Sequence, residues 1–164
     1  MASPSAIPAA DEPVPGEDAK VDGTMRVETR FGTIEFDRDK IVTFKQGMLG
    51  FPAHLDYAIA DLPGETYGEF KLLQSVTDGG LSFPVLPLDY LPGLIKEEDI
   101  KEALQIAEIP VDDAVVLLIA TARKNADGVQ LSVNLRAPVL LNAKLLIGRQ
   151  QVLSNSEYPI RHIL

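Results

Sequence analysis

From Val129 onward the chain alternates strictly, with Val129, Leu131, Val133 and Leu135 apolar and Gln130, Ser132, Asn134 and Arg136 polar. A two-residue period sends successive side chains to opposite faces of an extended backbone. The run therefore predicts a strand with one face in a core and one in water. Ala137-Pro138 breaks the pattern, and Val139, Leu141, Ala143, Leu145 and Ile147 begin a second alternating run. Proline donates no amide hydrogen and belongs at an edge, a first position or a bulge. The segment predicts two strands meeting at a proline-marked corner, with Asn134 on the polar face.

Shorter extended runs fill most of the chain. Arg26–Phe31 and Thr33–Phe36 alternate around Gly32, which suits a tight hairpin. Ile41–Phe44 reads as a third strand entering a loop over Lys45–Asp56, and Tyr57–Leu62 as a strand ended by Pro63-Gly64. Glu69–Val76 and Leu81–Pro87 flank Thr77-Asp-Gly-Gly80, where Asp-Gly predicts a hairpin turn with positive φ at both turn positions. Ala114–Ala122 is apolar throughout and predicts a strand covered on both faces.

One helix stands out. Over Lys96–Ala107, Ile100, Ala103, Leu104 and Ala107 form an apolar stripe, and Glu97, Glu98 and Asp99 occupy the first turn, where the helix dipole favours anions. Nine or ten short strands, mostly hairpin-linked, with a single short helix predict an all-β fold. The expectation is a small closed or partly open barrel or sandwich of antiparallel strands.

Composition sharpens this picture at the N-terminus. Residues 1–24 hold four of the twelve prolines and five acids against Lys20, with almost no large apolar side chain. Such a segment buries too little surface to offset its ordering entropy, so it predicts a disordered acidic tail ahead of one domain over residues 25–164. The formal charge of −9 disfavours direct nucleic-acid binding, which relies on basic surface, and favours encounter with a basic partner. Cysteine is absent, which removes disulfides and thiolate chemistry. No stretch reaches the length of a membrane span, and no basic-then-apolar leader opens the chain, so the expectation is a protein that stays in the cytoplasm.

Catalytic and metal-binding patterns were sought along the same string. His54 and His162 are the only histidines and are far apart, so neither sits in a zinc-ligand spacing. Phosphate-binding loops, nucleophile elbows and dinucleotide fingerprints are missing. Gly47-Met-Leu-Gly50 has the spacing of an RNA-clamping loop but apolar middle residues, and reads instead as a loop folding Met48 and Leu49 against the domain. Carboxylates pair at Asp37/Asp39, Glu97-Glu98-Asp99 and Asp112-Asp113, where hairpin ends and helix starts account for them. The expectation is a protein with no cofactor and no catalytic residue. The alternative is a small enzyme or ligand-binding protein with a site at the mouth of a barrel.

Two binding candidates remain. Leu86–Ile95 is apolar, flanked by prolines and followed by acids; Tyr90, Leu91, Leu94 and Ile95 either plug the end of the fold or form a contact patch ringed by Glu97, Glu98 and Asp99. The face carrying Gln130, Ser132, Asn134 and Arg136 is either solvated or a second contact.

Several of these strings recur in a known order. Ser132-Val-Asn-Leu-Arg-Ala-Pro-Val-Leu-Leu-Asn142, followed by Gly148-Arg-Gln-Gln-Val-Leu153, resembles the signature of the flagellar assembly factor family, FliW. Phe44–Pro52 is similar to that family's loop with its Gly-Phe pair, and Leu72-Leu-Gln-Ser75 to its Leu-Gln-Ser strand. Leu81–Pro84, Pro87–Tyr90 and Tyr158–Arg161 follow in the expected order, so the resemblance covers about Met25 to Leu164. It marks Phe44, Gly47, Gly50, Phe51, Gln74, Ser75, Asn134, Pro138, Asn142 and Gln151 as positions with structural or binding roles. It implies a cytoplasmic, monomeric, non-enzymatic protein that binds flagellin and the carbon storage regulator CsrA, an RNA-binding repressor of flagellin translation. Flagellin would displace the regulator when it accumulates, and release it for capture when it is secreted.

Overall fold

A β-hairpin opens the fold. In the computed structural model, which describes residues 23–62 and 68–164, β1 (Thr24–Thr29) pairs antiparallel with β2 (Gly32–Asp37) across a two-residue turn. Gly23 and Thr24 belong to this hairpin, with the Arg38 amide donating to the Gly23 carbonyl at 2.9 Å. The remainder of the proposed tail, residues 1–22, lies outside the described residues, as does Pro63-Gly64. Ile34 and Phe36 turn inward from β2 onto Ala58 and Leu72, forming one of three apolar clusters.

The other strands form one sheet that closes back on part of itself. Its members are β3 (Ile41–Phe44), β4 (Asp56–Asp61), β5 (Lys71–Ser75), β6 (Ser82–Pro87), β7 (Ala114–Asn125), β8 (Gly128–Val133), β9 (Val139–Asn142), β10 (Ile147–Gln150) and β11 (His162–Ile163). Pairing runs β7–β6–β5–β4–β3–β10–β9 and returns to β7, while β8 and β11 extend beyond this ring. The length of β7 makes this possible, since Ala114–Leu117 pairs with β9 and Ala120–Asn125 with β8. The helix α1 (Glu97–Ile106) packs Ala103 and Leu104 into a second cluster with Leu86, Leu118, Val133, Leu140 and Leu153. A third cluster fills the ring with Phe44, Tyr57, Leu73, Val85, Val139 and Leu141. The all-β class with a single α-helix follows.

Several expectations are corrected by this arrangement. Eleven strands are described rather than nine or ten. One pair, β3 with β10, is parallel. The second alternating run is not one strand: Asn142 Oδ1 accepts from the Lys144 and Leu145 amides at 3.0 and 2.9 Å and folds Ala143–Leu146 into a turn. Short polar side chains bond the backbone two and three residues ahead in this way, and the local bond competes with the ladder. The strand starting at Ala114 runs on to Asn125, and its outer half is exposed. Ser132, assigned to the polar face, is buried beneath the β11 pairing, while apolar Val129 lies exposed at the strand's far end.

The Asp78-Gly79 turn has no positive φ, contrary to the expected hairpin geometry. Its glycine answers to packing: a Cβ at Gly79 would lie 2.0 Å from the Glu28 carbonyl oxygen of β1. The first hairpin thus crosses close over this turn. Sequence periodicity carries no signal for such an approach.

Candidate functional site

The predicted contact patch divides into buried and exposed parts. Ile95 is only 5% exposed and Leu91 and Leu94 pack half-buried against the same cluster, so these three plug the end of the fold. The reason lies in the helix start. Ile95 precedes the N-cap residue Lys96 and shares a cluster with Ile100 in the first turn, the arrangement of a hydrophobic staple. Ile95 is therefore withdrawn as a contact anchor. Tyr90 is 60% exposed beside this plug, and Glu97 and Glu98 are exposed on the helix.

The cap of this helix comes from the far end of the chain. Lys96 offers no side-chain cap, and its amide donates instead to the Tyr158 hydroxyl at 2.9 Å. That hydroxyl donates in turn to Asp99 Oδ2 at 2.5 Å, so one phenol serves the N-cap amide and a first-turn carboxylate. Burial raises the Tyr158 pKa above its ordinary value, the Asp99 hydrogen bond adds to this, and the Lys96 amide opposes it. Asp99 is consequently engaged inside the fold, while Glu97 and Glu98 face solvent.

Most of the motif positions prove to be structural devices. Phe44 is fully buried and meets Tyr57 edge-on at 5.3 Å. Gln74 is buried with its Nε2 within 3.1–3.2 Å of the Ser75, Asp78 and Leu81 carbonyls, and Ser75 Oγ accepts from the Thr77 and Asp78 amides. Together they lock the turn between β5 and β6. Asn134 Oδ1 accepts from the Arg136 and Ala137 amides at 2.9 and 3.0 Å, shaping the corner that Pro138 completes. The buried Pro138 supplies its carbonyl to the Gln151 amide. Gly50 takes φ 89 in the turn before Phe51, which is partly exposed and lies edge-on to Phe83 at 5.6 Å.

A cleft of about 400 Å³ lies where no sequence motif pointed as a whole. Its walls are the loop after β3, the C-terminus of α1, and the β9–β10 hairpin. Gly47, at φ 69, and Gly148 both line it, and neither position has room for a side chain: a Cβ at Gly47 would meet the Phe51 carbonyl oxygen at 2.4 Å, and one at Gly148 the Phe44 ring at 2.6 Å. Leu49 was expected to fold inward with Met48. Met48 does, but Leu49 is 53% exposed on this cleft, and Leu145 is 63% exposed on it. Gln150 holds the loop in place, its Oε1 accepting from the Leu49 amide at 3.0 Å. Exposed apolar residues at separate loop tips could be found in the sequence, but their convergence depends on the β3–β10 pairing.

Catalytic chemistry is not assembled at either place. Among the described residues there is no group of three His, Cys, Asp or Glu positioned to hold a metal. Among the described residues Glu108 is the only carboxylate lining the cleft, and neither histidine reaches it. Asp37 Oδ1 accepts from the Asp39 amide, capping a short 3-10 turn, and Asp112-Asp113 forms part of another. Among the described residues, no helix is long and apolar enough to cross a membrane.

The described residues form a partly closed sheet with a docked helix, an exposed acidic helix start and an apolar-lipped cleft. A model of the FliW protein family matches residues 26–164. The flagellar assembly factor FliW of Desulfitobacterium hafniense strain DSM 10664 / DCB-2 is 35% identical over 145 residues, covering 85% of this chain and 91% of that protein. The flagellar assembly factor FliW of Clostridium beijerinckii is 35% identical over 136 residues, covering 81% and 92% respectively. A crystal structure of the flagellar assembly factor FliW superposes with a TM-score of 0.65 at 29% identity, covering 84% of this chain and 95% of that one. The chain belongs to the FliW family of flagellar assembly factors, which is not a class of enzymes.

Proposed function

We propose that this protein is a cytoplasmic, monomeric and non-enzymatic assembly factor that binds flagellin and the RNA-binding regulator CsrA. Family membership across residues 26–164 is the observation that carries the reading. Partner exchange then links secretion to synthesis: accumulated flagellin occupies the protein and leaves the regulator free to repress. A chain of net charge −9 suits a partner whose surface is basic enough to hold RNA. Tyr90 with Glu97 and Glu98 forms one contact surface, backed by Leu91 and Leu94 from beneath. Tyr90 anchors it, and the acids speed association.

Isothermal titration calorimetry with purified flagellin and purified regulator, each alone and with the other present, tests the reading. Competitive binding of both is expected. Tyr90→Ala should cost about 2 kcal/mol, close to thirty-fold in Kd. Charge reversal at Glu97 and Glu98 should slow association, chiefly at low salt. Independent, simultaneous binding of the two proteins would refute the exchange, and binding of neither would refute the proposed partners.

A further inference from the structure

We infer that the cleft between the β3 loop and the β9–β10 hairpin is a docking groove for an acidic peptide segment carrying a large apolar side chain. This rests on the reading of the protein as a binder of other proteins, and it assigns a second surface, at the opposite end of α1 from the acidic helix start. The apolar half of the argument is exposure. Leu49 and Leu145 are among the most exposed large hydrophobic residues described, and both line this one cleft above its Gly47 and Gly148 walls. Converging exposed apolar side chains in a concave site mark a contact surface more strongly than scattered ones do.

The charged half concerns the peptide's sign. Lys45 and Arg149 line the cleft, and neither makes an ion pair among the described residues, where the pairs are Arg26–Glu35, Lys71–Asp61 and Lys101–Glu97. Glu108 is the single opposing charge among the described residues that line it. On a protein of net charge −9, an unpaired cationic rim is a local exception that favours carboxylates on the incoming segment. Gln46 adds a polar side chain to the lining, while Asn142 and Gln150 hold the walls through their own hydrogen bonds.

Backbone strain gathers at the same place. Glu108 at φ 60 and Leu146 at φ 55 are the only non-glycine residues with positive φ among those described. Glu108 lines the cleft, and Leu146 stands between the lining residues Leu145 and Ile147. Glu108 occupies the left-handed position that ends α1, with its amide donating to Gln105 and the Ile109 amide to Leu104, the pattern that usually recruits glycine. Both positions are fixed by backbone hydrogen bonds, Leu146 through its amide to the Asn142 carbonyl, so the walls of the cleft are set before anything binds.

The test uses the full chain, isotopically labelled, titrated with three acetylated hexapeptides: alternating Glu and Leu, alternating Lys and Leu, and alternating Glu and Ser. Amide chemical shifts are followed by NMR. The Glu-Leu peptide should give saturable shifts at Leu49, Leu145, Gly148 and Arg149, and the other two should bind at least tenfold more weakly. Leu145→Ser and Arg149→Ser replace exposed or half-exposed side chains and should each weaken the Glu-Leu peptide about tenfold with the remaining spectrum unchanged. Equal binding of the Lys-Leu peptide, shifts centred elsewhere, or insensitivity to both variants overturns the proposal. Calorimetry with flagellin and the regulator is run on the same variants. Peptide failure with intact partner binding removes the groove alone, and peptide binding without either partner removes only the named partners.

Discussion

Replacing Tyr158 with phenylalanine isolates the hydroxyl that joins the C-terminal segment to the start of α1. The ring is buried in the cluster that contains Ile95 and Leu104, so phenylalanine preserves the packing and deletes only the two hydrogen bonds. A hydrogen bond to a charged acceptor contributes about 1.5–3 kcal/mol and a neutral one about 1 kcal/mol. Lys96 is exposed and Asp99 half-buried, so water recovers part of both bonds, and the expected loss is about 2 kcal/mol. For a domain of this size that corresponds to a fall of about 6 °C in Tm. Urea unfolding should show a lower midpoint at unchanged slope, because the surface exposed on unfolding is the same.

The alkaline limb gives a second readout. The folded-state pKa of Tyr158 lies above its ordinary value near 10, through burial first and the Asp99 hydrogen bond second. A raised folded pKa means that the folded state binds its proton more tightly than the unfolded state. The resulting stability is complete below pH 10 and declines as pH rises through the folded value. Tyr57 is shifted upward as well, by burial and then by Asp78, so the parent protein loses stability at high pH from two sources. The Tyr158→Phe protein should retain only the Tyr57 part and unfold less steeply above pH 10. A loss below about 0.5 kcal/mol, the range of inconsequential surface changes, with an unchanged alkaline limb would refute the capping role.

Substitutions at three further positions test other parts of the framework. Glu108→Gly should raise stability by about 1 kcal/mol in urea unfolding, since glycine relieves the left-handed backbone at the end of α1. Gly79→Ala should lower stability by about 1–3 kcal/mol, because the added carbon meets the Glu28 carbonyl and forces the first hairpin outward; amide exchange in β1 and β2 should accelerate. Asn134→Ala should cost about 2 kcal/mol by leaving the Arg136 and Ala137 amides without their acceptor, and Asn134→Asp should recover most of it, as measured by Tm.

What was legible in the sequence follows from which forces are local. The helix was readable because its stripe and acidic first turn lie within twelve residues, and the corner at Asn134–Pro138 because both residues act on their immediate neighbours. The split of β9 from β10 was not. Alternation from Val139 to Ile147 is the same whether the chain runs straight or reverses at Asn142, and the amides of Lys144 and Leu145 decide it. The parallel β3–β10 contact is likewise silent, since it joins segments about a hundred residues apart through two registered positions. The contact patch failed at Ile95 for a related reason. An apolar residue before a helix reads equally as an anchor for a partner or as a staple for its own helix, and the docking of α1 settles it.

Within the strings that carry the family resemblance, buried and exposed residues play different parts. Phe44, Gln74, Ser75 and Asn142 are buried, and each closes a turn or fills the ring. Their substitution acts first on the stability of the fold. Leu49, Leu145, Tyr90, Glu97 and Glu98 project from elements that those buried residues hold in place. Gln150 shows the connection directly, because its side chain bonds both the Leu49 amide and the Ala137 carbonyl, tying the exposed lip of the cleft to the proline corner. The framework thereby fixes where each exposed side chain stands and leaves its chemistry free. A change at an exposed tip can therefore alter the side chain presented without disturbing the buried residues that hold it in place.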